Sequence, residues 1–261
     1  VIALSYFTIA MLSPYLSALA DYTGKKKGFM KTFVIIGSLS CMSLFFFQEA
    51  TIWIGLVGSF LASIGFSGSL VFYNAYLPEI AAVEDQDKLS ARGFAIGYLG
   101  SSLLLILNLV MIENYEFFGF EDATMATRTS FLLVGLWWLL FSQLTFRRLP
   151  KNINQRKAEK GFVKKSYLSL IAVAKEFLQS KHLKRFVIAF FFYSAGVQSV
   201  ILLAGIFGSK VLKLEASQLI PTILIIQFVG MFGAWLFSKI SKKIGNLKAL
   251  IVAVFVWVGV C

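Results

Sequence analysis

Residues 17–31 read SALADYTGKKKGFMK, one carboxylate and a run of lysines set between two oily stretches. Those residue types in that order can do electrostatic work. Asp21 closes one helix and can face the start of the next, whose free amides and dipole favour an anion. Gly24 permits a tight reversal that other residues resist. Lys25, Lys26 and Lys27 can reach phospholipid headgroups or partner acids. Such a cluster can gate, holding one conformation and releasing it in another; its plainer role is a topology anchor. A second charged group, EIAAVEDQDKLSAR at 79–92, has acids that can pair with Lys25 to Lys27 across the same end of the molecule. Catalysis is not indicated, because no nucleophile or metal-ligand set accompanies these carboxylates. Cys41 and Cys261 lie inside apolar runs with neither disulfide nor metal spacing. His182, the single histidine, lies among cations as a solvated residue. No metal and no cofactor are expected, and the chain does not read as an enzyme.

The remaining chemistry is neutral. No Asp, Glu, Lys, Arg or His stands away from the ends of the apolar runs. Charges inside a bilayer are costly and usually functional, so a proton relay built from these residues is not expected, and coupling would fall to Glu113 or Asp21 near helix ends or to segments outside this chain. Tyr73 and Asn74, Asn108, Gln143, Tyr193, Gln198, Ser199 and Gln227 are the polar residues within the runs. A buried amide in lipid must find a partner, which is another helix or a solute. Tyr73, Asn74, Asn108, Tyr193, Gln198, Ser199 and Gln227 are therefore candidates for a substrate pathway. Gly93, Gly97 and Gly100 space small surfaces along one run and are candidates for close helix packing.

These groups need elements to hold them. The chain is 58% hydrophobic and only 15% charged, with mean hydropathy +0.78, whereas a soluble domain is about a quarter charged. Apolar runs near membrane-spanning length must fold as helices, since backbone amides in lipid bond within their own segment. Eight candidates fall at about 1–20, 32–48, 51–77, 93–112, 129–146, 186–208, 218–238 and 248–261. With 21–31 placed in the cytoplasm and the helices alternating, Arg128, Lys210 and Lys213 are the outer cations and the other 22 of the 25 lie inside. That split is a strong positive-inside signal. It also explains the net charge of +12 without nucleic acid. Residues 147–185 form a basic linker, in which Tyr167, Leu168, Leu170, Ile171, Ala174, Phe177 and Leu178 repeat at helical spacing among lysines. An amphipathic helix on the inner leaflet, meeting anionic headgroups, is expected there. The chain thus divides into a first bundle (1–146), a linker (147–185) and a second bundle (186–261). Both ends fall inside apolar runs, as in a piece of a larger membrane protein.

Residues 238–248, SKISKKIGNLK, echo residues 17–27, SALADYTGKKK. Each has a small residue, a polar residue four on, a glycine three further, then a cation; Lys242 stands where Asp21 does. Two related halves are implied, a plan in which the substrate site lies between halves near the bilayer midplane.

Ser17-x-x-x-Asp21-Tyr22-x-Gly24-x-Lys26-Lys27 resembles the signature turn of the major facilitator superfamily, with Ser17 for its glycine and Tyr22 for its base. Residues 72–109, 185–210 and 224–250 are similar to the branch called the unknown major facilitator family, whose best-known relatives are vacuolar amino-acid effluxers linked to autophagy. The resemblance implies an all-α membrane bundle of twelve helices in two halves, of which this chain carries about helices 2 to 9, truncated at both ends. It implies a secondary transporter of a small solute, with amino acids among the candidates, and the membrane expected for this chain is a bacterial plasma membrane. The alternative is a non-transporting scaffold or sensor of the same fold. Family members often carry an acid in helix 7, where Tyr193-Ser194-Ala195-Gly196-Val197-Gln198 has Ala195. Helix 7 lines the cavity in the resembled fold, which makes Tyr193 and Gln198 the first pocket candidates.

Overall fold

The computed structural model describes residues 1–150, 178–214 and 216–260, with 168, 171, 172, 175 and 176 between them. The expected amphipathic linker helix lies largely outside the described residues. Nine helices are described: α1 (Ile2–Thr23), α2 (Lys26–Ser43), α3 (Ile52–Ala75), α4 (Leu77–Ile80), α5 (Val83–Glu113), α6 (Ala123–Arg148), α7 (Lys181–Ile206), α8 (Ala216–Ile244) and α9 (Asn246–Val260). No strand occurs among the described residues. Among the described residues seven spans are long and apolar enough to cross a membrane. α9, at 15 residues, rises about 22 Å and is shorter than the ~30 Å hydrocarbon core.

Local signals set the boundaries. The Asp122 carboxylate accepts from the Met125 amide at 2.6 Å and opens α6, and Arg147 and Arg148 close it; anion at the start and cations at the end both suit the helix dipole. Ser180 caps α7 in the same way. Pro78 sits in the first turn of α4, where its missing amide costs nothing. α7 runs on into a π-helical turn at Phe207–Val211.

Two compact units result. One holds α1 to α4, α6 and the last residues of α5; the other holds α5 up to Leu109 and α7 to α9. A division at the linker would leave all of α5 with the first bundle. Within that second unit Ser241 Oγ lies within hydrogen-bond distance of Asp87 Oδ2, and the Tyr98 ring lies on Gly230.

The first unit has a packed core of Ala20, Met30, Val34, Phe72, Tyr76 and Phe146, with Leu16, Phe29, Phe33, Trp138 and Leu149 against it. Phe29 and Phe33 stack on Phe72 at 5.6 and 6.0 Å between centroids. Glycines bring α2 close to α3 and α6. A Cβ on Gly65 would collide with the Gly37 backbone and stand 2.7 Å from the Phe33 carbonyl oxygen. A Cβ on Gly135 would stand 2.7 Å from the Ser38 carbonyl oxygen. At the opposite end of α2, Arg128 of α6 donates from Nε to the Phe45 carbonyl at 2.6 Å and lies over the Phe45 ring.

In the second unit most large apolar side chains are exposed, among them Phe191, Phe192, Ile225 and Val229. That is the composition of helices solvated by lipid tails rather than by water.

Candidate functional site

The charged turn between α1 and α2 is built on Gly24. Its backbone is left-handed (φ 64°, ψ 16°), a conformation that costs a residue with a Cβ about 1–2 kcal/mol. The Gly24 amide donates to the Asp21 carbonyl at 3.3 Å and the Lys25 amide to the Ala20 carbonyl at 3.1 Å, so the last carbonyls of α1 are satisfied as the chain reverses. The reversal places Lys26 Nζ 2.9 Å from Asp21 Oδ1 and 2.5 Å from Glu79 Oε1. Glu79 is carried on α4, directly beyond α3. Lys27 Nζ donates to the Leu149 carbonyl at 3.0 Å, and Lys31 stands over the Phe146 ring at 5.4 Å. Lys25 is exposed. One small cluster thereby ties α1, α2, α4 and the end of α6 within the first unit.

Two expectations meet the geometry here. The pairing of the 79–92 acids with the lysine run is present as Lys26–Glu79. The placement of Asp21 against the first amides of α2 is not: no side chain caps that helix start. The Lys26 ammonium, one turn on, is the closer partner and takes the carboxylate.

The echo at 238–248 folds alike. Gly245 is left-handed (φ 84°) and donates from its amide to the Ser241 carbonyl at 2.8 Å. Lys242 holds the place of Asp21 and no equivalent ion pair forms among the described residues. Instead Ser241 Oγ donates to Asn246 Oδ1 at 2.5 Å, with Asp87 Oδ2 as the alternative acceptor at 3.1 Å. Lys239 Nζ sits 3.7 Å above the Trp235 ring. The Ser241–Asp87 contact was not foreseen. The signal available was a hydroxyl one residue before the Asp21-equivalent position, together with an acid-rich start to α5.

The pathway candidates are spread along their helices. Tyr73 and Asn74 are exposed at the end of α3. Asn108 of α5 is 9% exposed, and its Oδ1 has no hydrogen-bond partner among the described residues. Tyr193 is half-buried, edge-on to Phe190 at 5.3 Å, while Gln198 and Ser199 on the same helix are exposed. Gln227 is half-buried in α8. No hydrogen bond joins any two of these residues among the described ones. The glycines chosen for packing differ too. Gly93 is half-buried, and among the described residues a Cβ on Gly97 or Gly100 would meet nothing within 4 Å. Close approach falls on Gly37, Gly65 and Gly135 instead. Among the described residues no group of three or more His, Cys, Asp or Glu could hold a metal ion.

Apolar spans, the lack of strands among the described residues and paired glycine turns define a multi-pass, all-α membrane protein of the major-facilitator type. The chain belongs to the family described as vacuole effluxer Atg22 like, which it matches over residues 1–261. It is 31% identical over 266 residues to an uncharacterized MFS-type transporter, YxiO, of Bacillus subtilis, covering all of this chain and 60% of that protein. It is 28% identical to autophagy-related protein 22-1 of Emericella nidulans over 62% of this chain and 28% of that protein. With autophagy-related protein 22 of Coccidioides immitis the identity is 22%, over 89% of this chain and 48% of that protein. The chain thus spans 60% or less of the length of these relatives. No solved structure matches it.

Proposed function

We propose that this chain is the working part of a secondary transporter that moves a small solute, amino acids first among the classes to test, by alternating access between two helical halves. The observation that carries the reading is the repeated turn: Gly24 and Gly245, at matching places in the two sequence echoes, both take left-handed backbone between consecutive helices. Halves of related build are the plan on which alternating-access carriers work. The names of the relatives agree with a transporter. The basic turns face the cytoplasm by the positive-inside rule, in a bacterial plasma membrane, and the basic linker meets anionic headgroups there. Tyr193, Gln198, Ser199, Asn108, Gln227, Tyr73 and Asn74 supply neutral hydrogen-bonding groups to the path. Ala195, at the place of the family's acid, favours movement without a proton at this helix.

The test is a solute screen on the intact gene product in reconstituted vesicles, with and without a pH gradient. Amino-acid movement above that of empty vesicles is expected. Movement that ignores the gradient removes proton coupling and keeps transport. Binding to anionic vesicles with no solute moved would replace this reading by the scaffold.

A further inference from the structure

The segment joining α5 to α6 serves neither the glycine turns nor the pathway residues, yet it has a defined form. Residues 113–122 read ENYEFFGFED. Gly119 is left-handed (φ 77°). Its amide donates to the Glu116 carbonyl at 3.0 Å, and the Phe120 amide donates to the Tyr115 carbonyl at 3.0 Å. This double closure reverses the chain just past α5. Phe117 stands on it 86% exposed, the most of any large hydrophobic residue among those described, and Phe118 is 42% exposed. The two rings meet edge to face at 5.4 Å. Among the described residues a Cβ on Gly119 would meet nothing within 4 Å.

Charge fixes the depth of this segment. In α5 the 20 residues between Arg92 and Glu113 carry no charge. They rise about 30 Å, the thickness of the hydrocarbon core. Glu113 therefore marks the core boundary at the end of α5 remote from the Gly24 turn. In α6 the uncharged stretch begins after Arg128, so Ala123 stands about 8 Å beyond that boundary. The headgroup layer is about 5–7 Å deep on each side. With both ends so placed and the chain reversed at Gly119, residues 114–122 lie in or at the edge of that layer. The link between α2 and α3 repeats the pattern at the same end. Arg128 holds its Phe45 carbonyl, and Phe46 and Trp53 beside it are exposed. Aromatic side chains gather where a membrane meets water.

We propose that Phe117 and Phe118 form a lipid anchor, entering the glycerol and upper acyl region of the leaflet at this face. The apolar area of two exposed rings favours entry. Glu113, Glu116, Glu121 and Asp122 form no ion pair among the described residues. Their charges are too costly to follow the rings, so they stay among the headgroups and limit the depth. The left-handed Gly119 sets the reversal that presents the pair. The anchor depends on the membrane fold and not on what the protein carries.

The experiment uses the intact protein in phosphatidylcholine vesicles, with Cys41, Cys261 and any cysteine elsewhere in it replaced by serine. A nitrobenzoxadiazole label is placed on Phe117→Cys or, as the solvated control, on Glu121→Cys. Lipids spin-labelled at a shallow or a deep acyl position quench from the membrane, and iodide on both sides of the vesicles quenches from water. At 117 the shallow lipid should quench more than the deep one, and iodide should quench at least about threefold less than at 121, as burial from water requires. With the label on Glu116→Cys, adding Phe117→Ser and Phe118→Ser should raise iodide quenching about threefold, since nothing apolar then draws the segment in. Gel filtration confirms that each variant is folded. Iodide quenching at 117 as strong as at 121 overturns the anchor. So does iodide quenching at 116 that ignores the loss of both rings. Shielding at 117 from iodide and from both lipids would assign the rings to a protein surface, and overturns it as well.

Discussion

At the scale of single residues, one lysine of the run is set apart from its neighbours by the turn before it. Gly24 reverses the chain, and α2 begins at Lys26. Successive helical residues then point about 100° apart. Lys26 meets Asp21 and Glu79, Lys27 meets the Leu149 carbonyl, and Lys25 remains exposed. The run and its acids were legible as a cluster. Which lysine bridges was not, because that depends on where α4 and the end of α6 arrive from distant parts of the chain. The Lys26 side chain keeps 23% of its exposure, so solvent screens both ion pairs and together they contribute about 1 kcal/mol. Lys26→Met should lower thermal stability in detergent by that amount, followed by tryptophan fluorescence. Lys26→Arg should retain most of it and Lys25→Met should change little. Equal losses at Lys25 and Lys26 would reduce the run to an undifferentiated anchor.

At the scale of elements, helix existence was written in apolar length and helix contact was not. Spans such as Ile2–Thr23 and Ile52–Ala75 follow from composition and the demand that amides in lipid bond locally. Contact between helices depends on which faces meet. The regular spacing of Gly93, Gly97 and Gly100 pointed to close packing; among the described residues a Cβ on Gly97 or Gly100 would meet nothing within 4 Å. Gly37 and Gly65, on different helices and with no shared local pattern, are where two backbones touch. Substitution separates the cases. Gly65→Ala forces α2 from α3 through backbone atoms that cannot yield, and should destabilise by about 1–3 kcal/mol. Gly97→Ala and Gly100→Ala add a helix-favouring side chain into empty space and should be neutral or stabilising by up to ~1 kcal/mol. Thermal unfolding of the three variants in one detergent decides it. A loss at Gly100 matching that at Gly65 would mean that another helix closes on α5 where none is described.

At the scale of the whole molecule, membrane orientation is a property of all 25 cations taken together. Placing the Gly24 and Gly245 turns on one face puts 22 of those cations there and leaves Arg128, Lys210 and Lys213 on the other. The structure supplies a reason for one of the three. Arg128 is occupied in holding Phe45, and with the Gln48 amide turned toward it the guanidinium also donates to that oxygen from Nη1 at 2.8 Å. Arg128 thus has a structural task at the end of α2 and α6 remote from the Gly24 turn. Single cysteines at Lys25 and Lys248, both exposed and each beside one glycine turn, should therefore share one fate in intact cells. A membrane-impermeant thiol reagent should leave both unlabelled until the cells are opened. A cysteine at Thr127, exposed beside Arg128, should label from outside. Opposite accessibility at Lys25 and Lys248 would break the relation between the two turns, and with it the case for two halves of one plan. Shared accessibility from outside would keep the two halves and invert the protein in its membrane.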